Sequence, residues 1–214
     1  EVKNFAVGFR IEHPQQMINE AMYGIQKQNS FLPAAPYKLT SNFKNGQTSK
    51  GVYSFCMCPG GYVVNASSVE HHLVVNGMSY SKRDSSTANS AIIVSVTKED
   101  FLQALNQQTN KDITCFETKL DTKNTRNMCN SLFHQQEEHI NPLIGMYFQE
   151  MLEKKAYALA NGKIPQQLYG DFKENKISSE YGDFSSNTKG NTSFANLRGL
   201  LDKDMEQSFL AGME

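Results

Sequence analysis

The sequence of 214 residues lacks tryptophan and contains only 4 cysteines and 6 prolines. So few cysteines in a chain of this length exclude a disulfide-stapled scaffold, which is typical of small secreted domains. No apolar run approaches the roughly 18–20 residues that cross a bilayer, and no basic-then-apolar segment indicates a signal peptide. We therefore expect a cytoplasmic protein without a membrane partner.

An excess of positive charge is also missing, because 21 basic and 22 acidic residues give a formal net charge of −1. Nucleic acid is bound by basic surfaces, so it is not expected as a partner. The chain has no G-x-G-x-x-G loop and no P-loop lysine, and thus no complete nucleotide-binding fingerprint. No catalytic triad can be assigned from residue order.

What the chain does have is ordinary globular composition, with 39% hydrophobic and 20% charged residues. Strand-like alternation dominates the first hundred residues and helical spacing the second half. This pattern predicts an α+β fold, in which a mainly antiparallel or mixed sheet packs with helices. We expect residues 1–214 to form a single domain. The chain starts in a strand pattern and stops in a helical one, so we interpret it as a fragment of a larger protein.

Periodicity and turn signals place the elements along the chain. Strands are predicted at residues 3–12, 37–40, 52–58, 62–64, 73–77 and 91–96, and helices at residues 14–24, from 97, 142–161 and from about 202. The last of these strands should be buried and central. The segment 62–64 is the expected hairpin partner of 52–58, and Asn76-Gly77 is expected to be a turn.

Further predictions concern individual segments. Met17 and Met22 belong to the expected apolar face of the first helix. Residues 42–50 are polar and are predicted to form a turn. Residues 166–172 are predicted to be extended, residues 173–192 to be a polar loop, and residues 107–140 to be an insertion.

Thr97 and Asp100 should cap the second helix, with Val96 and Phe101 as a hydrophobic staple.

Cys56 and Cys58 are the first candidate site, on one face of a strand that ends in Pro59-Gly60-Gly61. At strand rise their Cα atoms would be roughly 6.5–7 Å apart, at the far edge of disulfide geometry. Two thiols beside a glycine turn suit contact with a substrate or cofactor. The alternative is that both are small buried hydrophobes and the turn is a bare hairpin.

A polar loop and a strand end supply the remaining candidates. Asn76, Arg83 and Asn89 could bind an anionic ligand, although an ordinary polar loop explains them equally well. Arg10 is a candidate anion contact at the end of the first strand, and a solvated ion pair with Glu12 is the alternative.

The histidines provide no metal site in the sequence. His134 and His139 are five residues apart, so they lie about 140° apart around a helix and cannot share a metal. His71 and His72 are adjacent and would point to opposite faces of a strand. We expect no metal.

Long strings of the sequence resemble a bacterial family of uncharacterised FAD-dependent dehydrogenases, relatives of the larger two-dinucleotide-fold flavoproteins. The strings are FAVGFRIEHPQ (Phe5–Gln15), LPAAPYKLT (Leu32–Thr40), GVYSFCMCPGGYVVNAS (Gly51–Ser67), VVNGMSYSKRDSSTANSAIIVSV (Val74–Val96), NPLIGMYFQEMLEKKAY (Asn141–Tyr157), GDF (Gly170–Phe172) and FANLR (Phe194–Arg198). The resemblance covers nearly the whole chain.

The resemblance implies a C-terminal or inserted domain, a substrate or cap domain that covers the flavin of an FAD-dependent oxidoreductase. FAD would be held mostly by a partner FAD-binding domain of the same polypeptide, outside this chain, and the isolated chain would hold no cofactor and show no activity. The Cys56–Gly61 turn and the Asn76–Asn89 loop would face the flavin or an unknown small-molecule substrate. The alternative is a non-enzymatic module that binds a protein or another ligand.

Overall fold

The computed structural model describes residues 4–24, 31–45, 48–111 and 142–214. The strands are β1 Phe5–Pro14, β2 Thr40–Asn45, β3 Thr48–Cys58, β4 Gly61–Asn65, β5 Val75–Ser79, β6 Thr87–Val96, β7 Ile164–Gln166 and β8 Thr192–Phe194. The helices are α1 Gln15–Tyr23, α2 Lys98–Lys111, α3 Ile144–Leu159, α4 Tyr169–Lys173 and α5 Lys203–Met213. Strands thus dominate the first hundred residues and helices the second half, which confirms the predicted α+β class.

The described residues fall into two compact units. One contains residues 4–5, 96–111 and 142–151, and the other contains residues 6–24, 31–45, 48–95 and 152–214. Each unit has buried apolar side chains of its own.

The larger unit is built on a four-stranded sheet with the order β1-β6-β3-β2. β3 pairs antiparallel with both β2 and β6. The predicted central strand is confirmed, since β6 lies between two neighbours and its Ile92 and Val94 are buried. β1 approaches β6 closely at Gly8, where an added Cβ would lie 2.9 Å from the backbone carbon of Ile92.

Helix α5 contacts the sheet through an apolar face. The Asp202 carboxylate caps the helix by accepting a hydrogen bond of 2.8 Å from the Met205 amide, as favoured at helix starts. Phe209 packs edge-on against Phe9 and Phe172, with ring centroids 5.1 and 5.6 Å away. These rings form the aromatic core of the larger unit.

The smaller unit has an aromatic core of its own. Phe5, Phe101 and Phe148 form it, with ring centroids 4.8 to 6.0 Å apart. At the start of α2, Asp100 Oδ2 accepts a hydrogen bond of 2.8 Å from the Thr97 amide, and the Phe101 amide bonds the Thr97 carbonyl. The predicted cap is confirmed.

The hairpin prediction was wrong. β4 pairs antiparallel with β5 in a separate two-stranded sheet, so that Val63 and Val64 face Gly77 and Asn76. Asn76-Gly77 is therefore the middle of a strand and not a turn. The reason is local, since β3 loses regular register after Phe55 and the Gly60 backbone, at φ 51°, leads the chain away from the first sheet.

The expected apolar face of α1 was also wrong. Met17 and Met22 are 50% and 57% exposed, whereas the polar Gln15 is buried. Gln15 is buried because its side-chain amide has partners at three separate positions, Asn19, Ala35 and Gly60. Hydrogen bonding rather than apolar burial fixes this face of the helix.

Two polar segments are regular where turns or extended chain were expected. Residues 42–45 and 48–50 belong to the paired strands β2 and β3, because an edge hairpin is held by backbone bonds and tolerates polar side chains. Residues 169–172, predicted to be extended, start helix α4. Most of the proposed insertion at 107–140, including His134 and His139, lies outside the described residues. No described helix has the length and apolarity needed to cross a membrane.

Candidate functional site

The side chain of Arg10 is the centre of a polar cluster in the larger unit. Its Nη1 group donates hydrogen bonds to Asn89 Oδ1 at 2.5 Å and to the Cys56 carbonyl at 3.1 Å, and it lies 3.9 Å from Cys58 Sγ. Its Nη2 group donates to Asn76 Oδ1 at 3.3 Å. Residues separated by up to 79 positions in the chain therefore meet at one guanidinium.

The guanidinium is half-buried and rests on Gly77. A Cβ at that glycine would lie 2.7 Å from Arg10 Cζ and 2.5 Å from Asn89 Oδ1. Burial lowers the pKa of Arg10 from its ordinary value, and the nearby Cys58 and Cys56 oppose this shift. Asn89 is fully buried, and its Nδ2 has no hydrogen-bond partner in the described part of the chain.

A β-bulge brings Cys56 and Cys58 to the guanidinium. Between the pairs Phe55–Ala91 and Cys58–Asn89, β3 advances three residues while β6 advances two. The extra residue is accommodated with Cys56 at φ 46°, a region that non-glycine residues rarely adopt. Cys56 is exposed and Cys58 is half-buried. The two thiols thus leave the regular strand face that alternation predicted.

The Pro59-Gly60-Gly61 turn is buried, and its backbone is already bonded within the chain. The Gly60 amide donates to Gln15 Oε1 at 2.6 Å, and the Pro59 carbonyl accepts from Ser79 Oγ at 2.7 Å. The space that glycine leaves at position 60 is filled by the backbone of Arg83, whose Cα would lie 2.9 Å from an added Cβ. The backbone of the turn therefore has a structural role. The accessible groups in this region are the neighbouring Cys56 and Cys58.

The remaining candidates lie around the loop between β5 and β6. Asn76 is in β5, Arg83 is in the loop and Asn89 is in β6. Asn76 and Asn89 join the Arg10 cluster from the two strands. Arg83 is exposed at the tip of the loop, with φ 52°, and none of the hydrogen bonds or ion pairs described involves its guanidinium. Three candidates that were close in sequence are thus divided between a cluster and an exposed loop.

Arg10 and Glu12 do not pair with each other. The Glu12 carboxylate accepts hydrogen bonds from Ser186 Oγ at 2.6 Å, the Asn187 amide at 2.8 Å and Thr188 Oγ1 at 3.1 Å. Glu12 thereby fixes the loop before β8, and the ion pair considered as an alternative is wrong.

Two aromatic side chains complete this region. Tyr37 lies beside Arg10 and within hydrogen-bonding reach of Ser90, and burial raises the pKa of its phenol. His13 packs against Tyr37 with ring centroids 5.4 Å apart, and burial lowers the pKa of its imidazole. Tyr37 was predicted to start the strand 37–40, whereas β2 begins only at Thr40, and a strand pattern does not indicate a contact with Arg10.

The described histidines do not form a metal site. His72 is buried with Nδ1 2.8 Å from the Glu70 carbonyl, and His71 packs against Tyr157. Among the residues that the structure covers, no group of three potential ligands could hold a metal ion.

Comparison with known proteins gives two findings. The family described as "FAD-dependent protein, C-terminal domain-like" matches residues 4–132 and 121–214. An uncharacterised protein from Clostridium beijerinckii is 36% identical over 215 residues, a match that covers 100% of this chain and 33% of that protein. The chain therefore spans about a third of the length of this relative. Because the family matches nearly the whole sequence, the chain belongs to the FAD-dependent protein C-terminal domain-like family.

Proposed function

We propose that this chain is the substrate-facing or cap domain of an FAD-dependent oxidoreductase, a dehydrogenase, and that it covers the flavin in the complete protein. The family supports the connection with FAD. The observation that carries the proposal is the meeting of Arg10, Cys56, Cys58, Asn76 and Asn89 around one guanidinium. A convergence of a cation, amides and thiols from four strands serves ligand contact better than it serves packing.

The residues present fit only part of FAD. The guanidinium and the exposed Asn76 amide suit hydrogen bonding to the polar edge of an isoalloxazine ring or to a substrate above it. A pyrophosphate needs a glycine-rich turn at the start of a helix. Neither the Pro59-Gly60-Gly61 turn nor the start of α1 meets this requirement, because the Gly60 amide is already bonded to Gln15 and α1 starts directly after Pro14.

We infer that a partner domain of the same polypeptide binds the dinucleotide. The Clostridium relative is about three times as long as the matched region, which leaves room for such a domain. When bound, FAD would accept electrons from the substrate. The residues of this chain would orient the substrate and exclude water, and Arg10 would hold a positive charge beside the reacting groups.

Purification of the full-length flavoprotein tests the proposal. A flavin absorbance spectrum is expected, and its bands should shift when Cys56 is replaced by serine, since Cys56 is exposed and its backbone carbonyl is bonded to Arg10. Lys203→Gln, an exposed position on α5, is the matched surface control and should leave the spectrum unchanged. A full-length protein without flavin would contradict the proposal. An unaltered spectrum in the Cys56 variant would remove this thiol from the flavin-facing surface.

A second candidate function is a non-enzymatic protein-binding module. Leu39, Phe55 and Tyr80 are apolar or aromatic and are 59%, 55% and 56% exposed. Exposed aromatic side chains are enriched at protein interfaces. Tight association of the 214-residue chain with another protein in the absence of flavin, measured by analytical ultracentrifugation, would favour this function over the first.

A further inference from the structure

Arg10 is a half-buried cation without a counter-ion in the described part of the chain. None of the ion pairs formed by the described residues involves Arg10. Its hydrogen-bond acceptors are the backbone oxygen of Cys56, the side-chain oxygens of Asn76 and Asn89, and the sulfur of Cys58. A charge taken partly out of water is normally balanced by an opposite charge. The cluster therefore has the cation of an ion pair and lacks the anion.

The guanidinium is also held in one orientation. Nη1 is fixed between Asn89 and Cys56, Nη2 is bonded to Asn76, and Gly77 closes one face. Within the described residues, the Nε–H group and one hydrogen of Nη2 have no acceptor. Arg10 is only partly buried, and its Nε is not one of the buried polar atoms that lack a hydrogen-bond partner. Solvent therefore reaches this nitrogen. One edge of the fork is thus open, and this edge matches the two oxygens of a carboxylate.

The charge of the cluster selects the class of anion. A phosphate group carries close to two charges near pH 7 and is usually met by several cations or by a helix N-terminus. Here one guanidinium faces the site, and the nearby phenol of Tyr37 adds a neutral polar group. We propose that the open edge of Arg10 binds the carboxylate of an organic-acid substrate. This inference rests on the proposed function and names its substrate class.

The test is an NMR titration of the 15N-labelled 214-residue chain. The sequence has four arginines, so the Nε–H signal of Arg10 can be assigned from the variant that lacks it. Sodium benzoate and sodium succinate are the probes, and sodium phosphate is the comparison, all at constant ionic strength. We expect the carboxylates to shift the Arg10 signal saturably and more strongly than phosphate does.

Three variants test whether Arg10 is the receptor. Arg10→Gln should abolish the saturable shift of neighbouring backbone amides. Arg10→Lys keeps the charge without the fork and should weaken binding by about tenfold, the loss that one charge-assisted hydrogen bond represents. Lys38→Gln removes an exposed charge near Tyr37 and should leave binding unchanged. The amide spectra of the variants report whether each still folds.

The inference is overturned if carboxylates produce no saturable shift, if phosphate binds as tightly, or if Arg10→Gln binds like the parent chain. The full-length protein separates this result from the proposed function. Flavin present without carboxylate binding would contradict the inference alone, and carboxylate binding in a protein without flavin would contradict the proposed function alone. A flavin spectrum that responds to Arg10→Gln but not to benzoate would assign Arg10 to the flavin and overturn the substrate site.

Discussion

Replacement of Gly77 by alanine is the sharpest test of how the Arg10 cluster is built. The new methyl group would lie 2.7 Å from Arg10 Cζ and 2.5 Å from Asn89 Oδ1, whereas non-bonded heavy atoms rest at about 3.5–4.0 Å. The backbone at Gly77 does not lie in the left-handed region, so alanine is opposed by steric contact with Arg10 and Asn89 and not by backbone strain. The guanidinium is the end of a flexible side chain, and we expect it to move.

The cost follows from the bonds that this movement breaks. Loss of the bond between Arg10 and Asn89 removes a charge-assisted interaction worth about 1.5–3 kcal/mol. Alanine also restricts the unfolded chain, which returns about 0.4–1 kcal/mol. The net loss in the free energy of unfolding is then about 1–2 kcal/mol. For a chain of 214 residues this corresponds to a Tm lower by about 2–8 °C.

Thermal unfolding followed by far-ultraviolet circular dichroism measures this loss. Gly51→Ala is the matched control, because an added Cβ there would meet the Ser95 hydroxyl at 3.2 Å and needs only a small adjustment of that side chain. In an Arg10→Ala background the bond to Asn89 is already absent, so Gly77→Ala should cost about 1.5–3 kcal/mol less than in the parent chain. Equal costs in the two backgrounds would refute the argument that the methyl group acts through the guanidinium.

Three further predictions concern other parts of the larger unit. Burial lowers the pKa of His13 from its ordinary value of 6.5, so the unfolded state takes up a proton first and stability is lost as the pH falls below about 6.5. In urea unfolding, the free energy of unfolding of His13→Gln should therefore decline less between pH 7.5 and pH 5.5 than that of the parent chain. Iodoacetamide should modify the exposed Cys56 faster than the half-buried Cys58, as peptide mass spectrometry will show, and equal rates would contradict the exposures. Glu206→Gln weakens a pair with Arg198 whose side chains are only 13% and 22% exposed, and should cost about 1–2 kcal/mol in urea unfolding, whereas no loss would make the pair dispensable.

The fold was predictable where a local pattern and the tertiary contacts agree. The apolar run before Thr97 became the central strand β6, and α5 begins at Lys203, close to the predicted start at about residue 202. Predictions failed where a partner distant in sequence decided the outcome. Gln15 is buried by bonds to Ala35 and Gly60, and no periodicity within α1 can indicate such partners.

The residue types of the candidate site were predictable from the sequence, and their arrangement was not. The residue types at positions 10, 56, 58, 76 and 89 indicated polar chemistry, and the structure brings them to one guanidinium. The bulge at Cys56 was not predictable, because a one-residue register shift leaves the apolar alternation of β3 looking regular. Tyr37 was not predicted as part of this cluster, because its neighbours Arg10 and Ser90 come from other strands.

The Pro59-Gly60-Gly61 turn would have a thermodynamic consequence for the binding of any ligand beside it. Its carbonyl and amide groups are paired with side chains of Gln15 and Ser79, and the spaces above its glycines are occupied. The conformational entropy of this segment is therefore lost during folding and need not be lost again on association. A ligand that contacted Cys56 would meet a preorganised surface, and the Gly60 amide should exchange with deuterium as slowly as a core strand although it lies in a turn.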